Sequence, residues 1–117
     1  MFLTMQEQES LVARKLATKK LNEETGMVTY KYTRKVFYDN LWERENAMEA
    51  RGHTYHAGSG DLVLAAPRKS FNYGEDGWWK KVDLNQRVSV YYKRNGYMLT
   101  ASKYKGDIIV GTTGTTT

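Results

Sequence analysis

Four short runs set aromatic rings beside cations: Tyr30-Lys31-Tyr32-Thr33-Arg34-Lys35, Trp78-Trp79-Lys80-Lys81, Tyr91-Tyr92-Lys93-Arg94 and Lys103-Tyr104-Lys105. This combination can bind single-stranded nucleic acid, because cations follow the phosphates while aromatic faces stack on bases. The same side chains can dock on an acidic protein surface, where aromatic residues and arginine carry much of the binding energy. Strand alternation also produces such dipeptides without any ligand, since tyrosine favours strands and lysine protects sheet edges.

A second set of candidates is His53, His56 and Asp61, within Gly52-His53-Thr54-Tyr55-His56-Ala57-Gly58-Ser59-Gly60-Asp61. Two imidazoles and a carboxylate can hold zinc, or serve as base and acid for phosphodiester cleavage in a metal-dependent nuclease. The spacing fits no specific pattern, and two loop histidines titrating in solvent is the simpler reading. Gly58-Ser59-Gly60 is followed by no Gly-Lys-Ser/Thr and lacks the second glycine of a nucleophile elbow, so it reads as a turn. No cysteine is present, which excludes disulfides, thiolate metal sites and a cysteine nucleophile. No cofactor is implied.

The net charge of +5 comes from 18 Lys+Arg against 13 Asp+Glu. The surplus is unevenly placed: residues 87–105 hold Arg87, Lys93, Arg94, Lys103 and Lys105 and no acidic residue. That segment can attract phosphate or an acidic protein. With 117 residues, the chain is long enough for one core, and nine Tyr and three Trp compensate for sparse aliphatic residues. No run of about 18 apolar residues and no basic, apolar leader occurs, so the expectation is a cytoplasmic protein without a membrane partner. Composition leaves the oligomeric state open.

Several elements must position these residues. Thr4-Met5-Gln6-Glu7 matches a capping box, and the apolar spacing of Met5, Val12, Ala13 and Leu16 extends the helix towards a stop at residues 22–26. From Met27, the alternation of Val28, Tyr30 and Tyr32 reads as a strand. A second helix is expected over residues 33–51, with Phe37, Leu41 and Met48 on one arc, Tyr38 and Trp42 beside them, and Gly52 after its end. Asp39, Glu43, Glu45 and Glu49, interspersed with Arg44 and Arg51, form its solvated face.

Beyond Gly52, frequent glycines imply short strands and turns. Residues 87–94 and 97–104 read as a hairpin closed by Asn95-Gly96, the preferred pair for a two-residue type I′ turn. Its register puts Arg87, Tyr91, Lys93 and Tyr104 on one face, with Trp79 and Lys80 as further contacts. The opposite face, with Val88, Val90, Tyr92, Leu99 and Ala101, is largely apolar. A further strand at residues 107–110 follows the Lys105-Gly106 turn.

The expected fold is therefore α+β: two helices packed on one face of an antiparallel sheet, in the order helix, strand, helix, then a β-meander. Residues 1–110 form one domain and residues 111–117 a flexible Thr/Gly tail. The leading functional expectation is a small, non-enzymatic, basic module that binds single-stranded nucleic acid or RNA through Arg87, Tyr91, Lys93, Tyr104, Trp79 and Lys80. The alternative is a small inhibitor or adaptor that docks on an acidic surface of another protein. Its small, basic, tyrosine-rich and cysteine-free character resembles that of phage early proteins in general.

Overall fold

A computed structural model describes residues 2–72, 74–75 and 83–116. Trp79 and Lys80 lie outside the described residues. The element order is α1 (Met5–Ala13), β1 (Ala17–Asn22), β2 (Met27–Tyr32), α2 (Arg34–Tyr38), β3 (Arg51–His56), β4 (Leu62–Leu64), β5 (Thr100–Tyr104) and β6 (Asp107–Gly111). Strands β1-β2-β3-β4 form one antiparallel sheet in sequence order, and β5-β6 form a second, two-stranded one. The fold is thus mixed α+β, but it contains a strand pair between the first helix and the second.

The capping box at α1 is present in both directions. Thr4 Oγ1 accepts from Glu7 N at 3.2 Å, and Glu7 Oε1 accepts from Thr4 N at 3.1 Å. The helix stops well short of residue 22, however. Lys15 takes a left-handed conformation (φ 61°), and Leu16 N closes the end by donating to Leu11 O. Residues 17–22 then pair in full register with β2, from Ala17↔Tyr32 to Asn22↔Met27. The turn between them is held by the Asn22 side chain, whose Oδ1 accepts from Glu24 N at 3.1 Å, and by Gly26 at φ 70°. Six inter-strand pairs outweigh the weak apolar periodicity that would have continued the helix.

The second helix is likewise shorter than its pattern suggests. It ends at Tyr38, because Asn40 (φ 51°) and Asn46 (φ 56°) adopt left-handed conformations that a helix cannot contain. The intervening turns still bury Trp42, Ala47, Met48 and Ala50 against Leu3, Leu11, Leu16, Ala17 and Val36. Phe37 and Tyr38 remain exposed, at 51% and 76%.

Successive residues of a strand point to opposite faces, and the two faces of the larger sheet are covered differently. On one, Val28, Tyr30 and Tyr55 pack against Met5 and Val12 of α1. The Tyr55 hydroxyl donates to Leu3 O at 2.7 Å, and that of Tyr30 donates to Glu9 Oε1 at 2.7 Å. On the other face, Met27 and Leu64 pack with Ile109 of β6. The β5-β6 hairpin therefore forms a second layer, opposite α1. Residues 112–116 turn back upon it, with Gly111 bridging Thr116 and Asn22 Nδ2 donating to Thr116 O at 3.2 Å. At Gly52 (φ 106°) the layers nearly touch: a Cβ there would lie 2.9 Å from Thr112 O and 3.2 Å from the Met98 methyl.

Candidate docking surface on the second sheet

The orientation of β5 decides which side chains are available. In β5 and the residues that lead into it, the even-numbered side chains face the body of the protein. The Met98 methyl reaches Gly52, Ser102 Oγ donates to Val63 O of β4, and the Tyr104 hydroxyl donates to Asp61 Oδ2 at 2.7 Å. Ser102 also sits directly across from buried Ile109. The odd-numbered residues face solvent. Tyr97 is 98% exposed and Leu99 70%, Ala101 and Lys103 are exposed, and Ile108, across from Lys103, is 66% exposed.

The outward side of this strand is thus its largely apolar one. Alternation separates two faces but does not say which one is covered. Serine, threonine and tyrosine can be turned inward when their hydroxyls find acceptors, and here Ser102 and Tyr104 do. Tyr104 is consequently not on an open platform with Arg87, Tyr91 and Lys93. The latter three lie in residues 83–99, which carry no strand, and all are exposed. Asn95-Gly96 does not form the expected type I′ turn either. That turn needs positive φ at both central residues, and of the two only Gly96, at φ 146°, has one. The turn is made instead by Lys105 (φ 47°) and Gly106 (φ 89°), which join β5 to β6.

Among the described residues, Arg87, Lys93, Arg94 and Lys103 make no ion pair. Lys105 lies over the Tyr104 ring, with Nζ 5.4 Å from its centroid. Tyr91 is 84% exposed and Tyr92 98%.

His53 and His56 are separated by the sheet. His56, at the end of β3, accepts from Ser59 N at Nδ1 (3.2 Å), and Ser59 Oγ lies 3.0 Å from the same nitrogen. Ser59 Oγ is also 3.3 Å from the Tyr104 hydroxyl. The Tyr104 hydroxyl, followed by Ser59, holds the exposed Asp61 carboxyl below its ordinary range. The cluster His56, Ser59, Asp61 and Tyr104 therefore fastens the β3-β4 loop to β5. Sequence reading missed this role for Tyr104, which depends on contacts 43 residues apart.

His53 is fully buried between Phe2, whose ring centroid lies 5.5 Å away, and Glu49, whose Oε1 is 3.7 Å from Nε2. It does not join His56 and Asp61, and among the described residues no group of three or more His, Asp or Glu could hold a metal ion. No match to this chain is found among family models, curated proteins or solved structures. The functional reading therefore rests on this geometry.

The buried imidazole carries a pH prediction. Burial pushes the His53 pKa below its ordinary value, and the nearby Glu49 carboxylate offsets this in part. Below about pH 6.5 the unfolded chain binds a proton that the folded one resists, so the stabilisation present above that pH is lost as pH falls towards the lowered pKa. Thermal midpoints measured from pH 7.5 to 5 should decline. His53→Leu should decline less over that range, and equal slopes would rule out His53 as the source.

Proposed function

We propose that this protein is a non-enzymatic docking module that binds an acidic protein surface through the outward side of β5 and β6. One observation carries the reading. With Ser102 and Tyr104 turned to the body, the side left in solvent is apolar at Leu99, Ala101 and Ile108 and basic at its margins. Contiguous exposed apolar surface rimmed by charge is the usual mark of a protein contact. Leu99 and Ile108 would fill apolar pockets of the partner. Arg94, Lys103 and Lys105 would set orientation and speed association with carboxylates.

A second reading, single-stranded nucleic acid, is favoured by the open rings of Tyr91, Tyr92 and Tyr97 beside the exposed Lys93 and Arg94. Stacking on each ring contributes about 1–3 kcal/mol. That reading leaves exposed Val88, Val90, Leu99 and Ile108 without a role, so it ranks second.

Affinity capture from nuclease-treated lysate distinguishes them, using wild type and the Leu99→Asp/Ile108→Asp variant. The docking reading expects an acidic protein retained by wild type, with binding to the variant weakened at least about tenfold, since each lost apolar contact contributes roughly 1.5–3 kcal/mol. Capture that survives the substitutions opposes the reading. Salt-sensitive binding of a labelled single-stranded oligonucleotide that is lost in Tyr91→Ala would establish the second reading instead.

A further inference from the structure

We infer that residues 87–94, which carry no strand here, rearrange to add to β5 as a third strand, with Asn95 joining Gly96 at positive φ to close the turn and complete the outward apolar face. Two independent constraints on hydrogen-bond parity meet at β5. The pair flanking a two-residue turn exchanges both of its N–H···O bonds, and opposed pairs then alternate between bonded and non-bonded. The Lys105-Gly106 turn therefore directs the backbone groups of Tyr104, Ser102 and Thr100 at Asp107, Ile109 and Gly111. The backbone groups of Lys103, Ala101 and Leu99 point the opposite way, along an edge that pairs with no strand among the described residues.

The second constraint comes from the other turn. Once Asn95 and Gly96 form a two-residue turn, Arg94 and Tyr97 would be its closing bonded pair. Counting outwards, Tyr92 bonds with Leu99, Val90 with Ala101, and Val88 with Lys103. These are the three residues of β5 and its approach whose backbone groups the first turn leaves free. A single-residue shift in either turn would have destroyed this agreement.

The side chains agree as well. Val88, Val90 and Tyr92 would stand on the same side as Leu99, Ala101 and Ile108, giving one continuous outward face. Their present exposures, 62%, 89% and 98%, are those of a strand without its neighbour. An unpaired edge beside an exposed β-forming segment is otherwise a site for association with other chains, and closure within the chain removes it. Arg87, Tyr91 and Lys93 would turn to the side of Ser102 and Tyr104. The inference concerns the surface discussed above but does not depend on what docks there.

Amide hydrogen exchange on the full, ligand-free chain tests it. After correction for intrinsic rates, the amides of Val88, Val90 and Tyr92 should exchange at least about tenfold more slowly than those of Ser89, Tyr91 and Lys93, which point away from β5. Because the chain has no cysteine, a disulfide provides a second readout. Bonded antiparallel partners have Cα atoms about 5.5 Å apart, within disulfide range. Val90→Cys/Ala101→Cys should therefore cross-link within one chain on oxidation, and Tyr91→Cys/Ala101→Cys, on opposite faces, should not. Exchange without alternation together with equal cross-linking of the two pairs would overturn the inference. So would a Val90→Cys/Ala101→Cys disulfide found only between two chains, since the strand would then come from a second copy.

Discussion

Trp42→Ala is expected to lower the unfolding free energy by about 3–5 kcal/mol. The indole is 2% exposed and sits within the cluster formed by Leu11, Leu16, Val36 and Met48. The Tyr32 ring meets it edge-on at 4.7 Å, and the Lys69 ammonium lies 5.5 Å from its centre. Truncation loses the transfer free energy of a fully buried indole and leaves a cavity that Ala47 and Ala50, already small, cannot fill. Against a typical total stability of about 5–15 kcal/mol, such a loss approaches global unfolding. Urea denaturation followed by circular dichroism should show a large fall in midpoint with an unchanged slope. Tyr38→Ala, 76% exposed, should stay within about 0.5 kcal/mol of wild type. If both variants behaved alike, the turns after α2 would not hold Trp42 as described.

The two halves of the chain were legible to different degrees, for physical reasons. The capping box at Thr4 and Glu7 is a local device, and it forms as read. The strand at Met27–Tyr32 and the Lys105-Gly106 turn are local too. The strand at Ala17–Asn22 was also signalled, by Asn22, Gly26 and the β-branched Thr18 and Thr29 around a four-residue loop. A narrow apolar stripe at helical spacing masked that signal. The long second helix failed at Asn40 and Asn46, whose left-handed conformations interrupt a pattern that remains apolar on one arc because Trp42 and Met48 are buried anyway. Periodicity thus found the core residues there while misplacing the backbone between them.

For the candidate surface the lesson is different. Alternation in residues 97–104 divides polar from apolar side chains, but it does not say which set faces solvent. Ser102 finds Val63 O, Tyr104 finds Asp61, and Met98 finds a gap at Gly52 that any Cβ would close. None of these acceptors lies near in sequence, so local pattern could not reveal them. The same distance separates His53 from His56 functionally. One is sealed beneath Phe2 and the other secures a loop, although only two residues lie between them.

Because the chain lacks cysteine, the orientation of β5 can be measured directly with single thiols. Ala101→Cys and Ser102→Cys occupy adjacent positions with similar volumes, so their intrinsic reactivities should be comparable, and local burial should dominate the difference. Ala101 faces solvent, whereas Ser102 is turned to Val63 O across from buried Ile109. Maleimide labelling of the folded protein at neutral pH should therefore be at least about tenfold faster at position 101 than at 102, and urea should abolish the difference. Faster labelling at 102, or equal rates in the folded state, would mean that the polar side of β5 faces outward and would contradict the proposed docking surface.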